Sequence, residues 1–438
     1  TGKIKAIANL GRDEKTGNYY ENDNYSLRAT EPGSTIKLAT LLAVLESGSS
    51  SPGDLVEVGT AGHMRVGPVS RDVVDAERQR KPVLTVQECF AHSSNVGMSK
   101  LAFKAFGNNP EELKKYLHKY HLDERAAIDL PNVAKPFITT FKKDAGGLMN
   151  MLWVSFGYGI QINPINTITL YNAIANNGKM MKPYLVSSIR SEGVEVKSFA
   201  PKVLVDQLCK PDVVKAARQA MEMTVTEGTA RAAFKDLPFK VAGKTGTAHV
   251  SDGPIRYADG VYQATFVGYF PADKPQYTCI VLIRTKPHAA SHFGGTLAAP
   301  VFREIATKLY NLYVEKKDAS QFAAIKDSSE YYYAGFSSDI RKVMGSLQLN
   351  YRDSAAQQNW TSIYNRNAAG NTVPVAKGIP VQQQRMPNVR GMGLKDAIYL
   401  LENMGLKVSV RGRGKVAAQS VAPGTTLAKG ITVILELS

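Results

Sequence analysis

The segment that most constrains this chain is a helix with almost no polar side. Leu38-Ala39-Thr40-Leu41-Leu42-Ala43-Val44-Leu45 is apolar at every position but one. Such a helix belongs inside a domain, not on its surface. Pro32 and Gly33 supply the turn that starts it near Ser34. The chain has enough material to enclose it: 438 residues, 44% apolar and 21% charged, against ~100–200 residues for a usual domain. Several cores are expected, and a disordered tail is excluded.

The start of this helix carries chemistry. In Glu31-Pro32-Gly33-Ser34-Thr35-Ile36-Lys37, Ser34 and Lys37 lie one turn apart on one face. A serine hydroxyl is a weak nucleophile until a base takes its proton, and a lysine serves as that base once burial lowers its pKa. Alone, Ser-x-x-Lys is a weak signal that a helix cap and a snorkelling lysine would also explain. A second element, Ser93-Ser94-Asn95, interrupts two helical segments, Val86 to Ala91 and Val96 to Phe106. Polar residues at such a junction are usually caps. A third, Val241-Ala242-Gly243-Lys244-Thr245-Gly246-Thr247-Ala248, is a strand whose small residues let a ligand approach the backbone. A phosphate loop is its rival, but the motif needs a glycine where Pro238 stands.

Residues 1–317 mix helix and strand patterns as one large α+β domain would. Aromatic and polar clusters follow, including Tyr331-Tyr332-Tyr333 and Gln382-Gln383-Gln384, the latter like a linker. Residues 385–438 read as a small unit: a strand at Pro387-Asn388-Val389, a helix from Leu394 to Met404, and strands from Lys407 to Val410 and Thr432 to Leu437. Ala397, Leu400, Leu401 and Met404 share one helix face. Ile340, Val343, Met344 and Leu347 repeat that pattern 57 residues earlier, which implies a degenerate module of the same fold over residues 328–384.

Lys plus Arg number 54 and Asp plus Glu 38, a net +16, with no tight basic cluster. A solvated surface or attraction to an anionic polymer is favoured, and nucleic acid is not expected as a partner. Cys89, Cys209 and Cys279 lie far apart, so buried free thiols are expected in place of a disulfide or CxxC metal site. His118 with His121, and His288 with His292, have ligand-like spacing without an acidic or cysteine partner in a known pattern. No metal or cofactor is expected. No run approaches the ~18 apolar residues of a membrane span. The start at Thr1, running into the strand-like Lys3 to Leu10, reads as a fragment lacking its natural N-terminus.

Taken in order, the three elements resemble those of the penicillin-recognising serine acyltransferases. Phe156-Gly157-Tyr158-Gly159-Ile160, Glu227-Gly228-Thr229-Ala230, Phe266-Val267-Gly268-Tyr269-Phe270 and Gly294-Gly295 extend the likeness to class B penicillin-binding proteins over residues 1–314. Residues 385–438, with Gly391-Met392, Gly405-Leu406 and Pro423-Gly424, look like a PASTA domain. The combination resembles the cell-division type of peptidoglycan D,D-transpeptidase, a target of β-lactam antibiotics.

The resemblance implies an antiparallel sheet with helices on both sides, followed by small α/β modules. It implies Ser34 as acylated nucleophile, Lys37 as base, Ser93 as proton relay and Asn95 as holder of Lys37 and a substrate amide. Lys244, Thr245, Gly246 and Thr247 would bind the substrate, and the backbone N–H groups of Ser34 and Thr247 would form the oxyanion hole. It further implies peptidoglycan stem peptides as substrate, a divisome glycosyltransferase as partner, and an N-terminal membrane span that holds the domains in the periplasm. A β-lactamase or D,D-carboxypeptidase of the same fold is the nearest alternative, but no Glu-x-x-x-Asn element stands between Asn95 and Lys244. A non-catalytic wall sensor is the other, disfavoured by the intact Ser34, Lys37, Ser93 and Lys244.

Overall fold

Helix α1 (Lys37–Glu46) runs through the interior with every residue from Lys37 to Leu45 buried, as its all-round apolar sequence requires. The structure is a computed structural model. It describes residues 1–314, 331–365 and 373–438, apart from residues 14, 22, 70, 192–193, 252, 254, 348, 356 and 429. The expected domain boundary at 317 and the expected module start at 328 lie outside the described residues. The chain divides into two units, residues 1–315 and 316–438.

In the first unit α1 is enclosed by α2 (Val86–Ala91), α3 (Asn95–Phe106), α4 (Glu111–Lys119), α5 (Ala145–Phe156), α6 (Pro164–Ala175) and α7 (Pro211–Thr226). Strands β1 (Ala242–His249), β2 (Tyr262–Phe270) and β3 (Tyr277–Arg284) form an antiparallel sheet in that order, so β1 is an edge. Successive residues of β2 face opposite sides, as the two-residue period of a strand dictates. Val267 and Tyr269 join the α1 core, while Phe266 and Phe270 pack on Phe302 of α8 (Gly294–Leu309). Ring centroids there are 4.8 and 5.8 Å apart. Each fully buried side chain of this kind contributes about 1.5–3 kcal/mol. Helices thus cover both faces of the sheet. The strand-like Lys3 to Leu10 forms less than its pattern implied: one bridge from Lys3 to Tyr184, and a three-residue strand that starts only at Leu10.

The second unit holds two sheets. One combines β4 (Tyr331–Phe336), β5 (Arg352–Asp353), β6 (Trp360–Asn365) and β7 (Val375–Gly378), with helix α9 (Ser337–Ser346) after β4. The other combines β8 (Lys407–Gly412), β9 (Val416–Gln419) and β10 (Thr432–Leu437), after helix α10 (Leu394–Asn403). In both, the last strand lies between two others, parallel to the strand after the helix and antiparallel to the next. The expected strand at Pro387-Asn388-Val389 is absent; Gly391 N–H and Val416 N–H instead exchange single bonds with Val416 and Met392. The repeated helix face also diverges. Ala397, Leu400 and Leu401 are buried, but Val343 and Leu347 are 51% and 58% exposed. The modules share apolar surface, since Ala334, Trp360 and Ile379 pack with the core of α10.

Candidate active site

Residues Gly33–Ile36 form one 3-10 turn, and the Lys37 N–H donates to the Ser34 carbonyl as α1 begins. The α-helix therefore starts at Lys37, three residues later than its sequence pattern implied. Gly33 adopts φ +52°, and a Cβ there would stand 2.7 Å from the Thr247 carbonyl oxygen. A Cβ on Gly246 would stand 2.8 Å from Thr35 Cγ2. Both are closer than side chains approach, so these two glycines let β1 lie directly against the serine turn. At Gly246 the missing side chain thus makes room for the turn, in addition to any room it leaves a ligand.

Lys37 is fully buried, and its Nζ donates to the Ser93 carbonyl at 2.6 Å, Ser93 Oγ at 3.1 Å and Asn95 Oδ1 at 2.7 Å. Two of the three sequence elements therefore meet on this amine. Burial pushes Lys37 down to about 7, against which the Asp75 carboxylate pulls upward. An amine in that range is substantially neutral at neutral pH and able to accept a proton. The junction that supplies its partners divides its labour by residue. Ser94 caps α3, its hydroxyl accepting from Gly97 N–H at 2.9 Å. Ser93, at φ +56°, lies in the left-handed region that serine rarely visits, a strain of the kind that clusters at active sites.

Asp75 holds this junction and has no local sequence signal. Its carboxylate accepts from Asn95 N–H at 2.5 Å, Val96 N–H at 2.9 Å and Ser94 Oγ at 3.1 Å. A buried carboxylate at the first turn of α3 satisfies otherwise orphaned helix amides and favours the helix dipole.

On the strand side Lys244 is fully buried, its Nζ donating to the Thr245 carbonyl at 3.0 Å and lying 5.6 Å from the Phe90 ring centre. Burial lowers its pKa, with the nearby Lys37 ammonium adding to the effect. Thr245 Oγ1 pairs with Thr229 Oγ1 at 2.6 Å, and Thr247 Oγ1 accepts from Gly294 N–H at 3.2 Å. Among the described residues neither Nζ hydrogen-bonds a carboxylate.

Of the histidines singled out by their spacing, His118, His121, His288 and His292, none hydrogen-bonds to these groups among the described residues. His118 does acquire acidic neighbours: Asp123 at 3.1 Å and Glu124 at 3.6 Å, brought round by the turn after α4. His292 stacks on Tyr262 with ring centres 4.1 Å apart. Cys89 and Cys209 are buried free thiols and Cys279 is partly buried. Asp75, Thr229 and Phe90 are the contributors that sequence reasoning missed. Only Thr229 had a signal, as part of Glu227-Gly228-Thr229-Ala230.

The serine turn and the Lys-Thr-Gly-Thr edge strand lie against each other, Gly33 facing Thr247 and Gly246 facing Thr35, with the buried Lys37 beside them. The chain belongs to the penicillin-binding protein transpeptidase family, whose domain matches residues 1–307, and it carries a PASTA domain at residues 384–438. It is a class B member with a C-terminal PASTA domain. It is 29% identical to penicillin-binding protein PbpB of Mycolicibacterium smegmatis, over 70% of this chain and 48% of that protein. Stage V sporulation protein D of Bacillus subtilis is 27% identical over 93% of this chain and 54% of its own length. The chain thus spans about half the length of these relatives. Among solved structures, the transpeptidase domain of Burkholderia pseudomallei penicillin-binding protein 3 superposes with a TM-score of 0.55 at 26% identity. That match covers 67% of this chain and 83% of the other.

Proposed function

We propose that this chain is a peptidoglycan D,D-transpeptidase that cross-links stem peptides through an acyl-Ser34 intermediate and is a target of β-lactams. The observation that carries this reading is the buried Lys37 amine, bonded to Ser93 and Asn95 and held near neutrality beside the serine turn. Ser34 Oγ attacks the carbonyl carbon of the penultimate D-alanine while Lys37 Nζ takes its proton. Ser93 Oγ passes a proton to the leaving D-alanine nitrogen, and the C–N bond breaks. An acceptor amine then attacks the ester, forming the cross-link and returning the proton to Ser34. Asn95 holds Lys37 and a substrate amide. Lys244, Thr245 and Thr247 meet the substrate carboxylate, and the N–H groups of Ser34 and Thr247 stabilise the oxyanion, commonly worth about 3–4 kcal/mol per donor.

The reading extends to the rest of the protein. A domain in this family works on the outer side of the cytoplasmic membrane. An N-terminal span and a divisome glycosyltransferase partner belong to the same proposal. Residues 328–384 are read as a degenerate PASTA-like module, because the order of the three strands after its helix repeats that of the PASTA domain.

Mass measurement during incubation with excess benzylpenicillin tests the reading. The expected result is one penicilloyl adduct that persists for hours and is absent from Ser34→Ala. Rapid return to the free mass would make the protein a β-lactamase, and an adduct on Ser34→Ala would move the nucleophile elsewhere.

A further inference from the structure

His118 and His121, at the end of α4, meet two carboxylates that their spacing did not announce. His121 stands at φ +55° and reverses the chain, so that Asp123 and Glu124 return to the last turn of α4. His118 Nδ1 then lies 3.1 Å from each Asp123 oxygen and 3.6 Å from Glu124 Oε1. A single N–H serves only one of these three oxygens well. The two carboxylates also bring donor oxygens within 4.8 Å of each other, a repulsive pairing. Among the described residues no lysine or arginine pairs with either of them.

The turn that carries these donors is pinned from behind. Leu122 is fully buried, and Asn166 of α6, only 6% exposed, donates from Nδ2 to two carbonyls of the turn. These are His121 at 2.7 Å and Glu124 at 3.0 Å. His121 Nδ1 lies 3.0 Å from Glu124 Oε2, which leaves Oε1 toward His118. The donors are therefore preorganised, while His118 and Glu124 stay open to solvent.

We propose that His118, Asp123 and Glu124 bind a divalent transition-metal ion of the zinc class, with His121 orienting the Glu124 carboxylate. Zinc bonds of about 2.0–2.2 Å in a tetrahedron set neighbouring donors about 3.3–3.6 Å apart. The separations of 3.1 and 3.6 Å from His118 Nδ1 need only small movements to meet that spacing. An imidazole nitrogen among the ligands selects such an ion over Mg²⁺ or Ca²⁺, which favour oxygen alone. In the bound form Nδ1 offers its lone pair, the imidazole proton sits on Nε2, and water fills the fourth position. The ion ties the last turn of α4 to the turn that follows it. None of the groups proposed for the acyl transfer takes part, so this site stands or falls apart from that reaction.

Equilibrium dialysis of the full chain against micromolar zinc chloride, with bound metal measured by mass spectrometry, tests this. One zinc per chain is expected. His118→Asn and Asp123→Asn should each weaken binding by about tenfold or more. His63→Asn, which alters another exposed His–Asp pair, should leave it unchanged. A chain that takes up no zinc, undiminished binding in His118→Asn and Asp123→Asn, or lost binding in His63→Asn would overturn the inference. The X-ray absorption spectrum of zinc on the wild-type chain serves if the variants do not fold. Nitrogen and oxygen neighbours alone are expected, and a sulfur at about 2.3 Å would move the ion to a cysteine and overturn the inference.

Discussion

The two units of the chain use their interiors differently. The first buries Lys37, Lys244 and Asp75, three ionisable groups inside a domain with ample apolar core. In the second, the buried polar residues among those described are Ser337 and Thr361, whose hydroxyls bond each other at 2.5 Å. Burying a charge is costly unless it is well partnered. On the proposed reading the first unit accepts that cost where a base must be near-neutral and an anion must be met. Among its described residues the second fills its small cores with apolar side chains and this one hydroxyl pair, as suits modules of ~50 residues. On the proposed reading the chemistry belongs to the first unit, where those ionisable groups are buried.

Removing the buried base should break the comparison most sharply. Lys37→Ala is expected to slow acylation by any penicillin about a thousandfold or more, measured by fluorescent penicillin labelling. A normal rate would show that the buried amine is not the base. Asp75→Asn should act more weakly and in two ways. Losing the carboxylate removes the charge that pulls Lys37 upward, so the midpoint of the acylation pH profile should move to lower pH. The weakened hold on the α3 amides should cost about 1–3 kcal/mol in denaturant unfolding. A midpoint that stays or moves upward would contradict the placement of Asp75. The smallest effect should come from cutting the chain after Val314. Every proposed catalytic group precedes that point, and the first unit has its own core. Acylation is expected within about twofold of the intact chain, and a large loss would mean that the second unit supports the site.

Local pattern made much of this legible. The apolar run after Lys37 announced a central helix, and the three motifs announced a cleft because each has its own residue types at fixed spacing. Long-range placement was not legible. Asp75 stands 18 residues before Ser93 in a segment without periodicity, and only folding brings it to the start of α3. The left-handed Ser93 was hidden because the junction read simply as a cap, a role that Ser94 fills. Gly246 read as an opening for a ligand, whereas its close neighbour is Thr35, on a turn more than 200 residues away. In the second unit the α9 pattern announced a helix, but Val343 and Leu347 face solvent because periodicity does not say which apolar face finds a partner.

The central claim is that burial holds Lys37 near neutrality so that it can take the Ser34 proton. The second-order rate of acylation by benzylpenicillin, measured from pH 5 to 9.5, reports the ionisation of the free protein. A base lowered to about 7 predicts a rate that rises about tenfold per pH unit on the acid side, bends near pH 7 and is flat above it. A rate still climbing tenfold per unit at pH 9 would place the amine in its ordinary range and contradict the account.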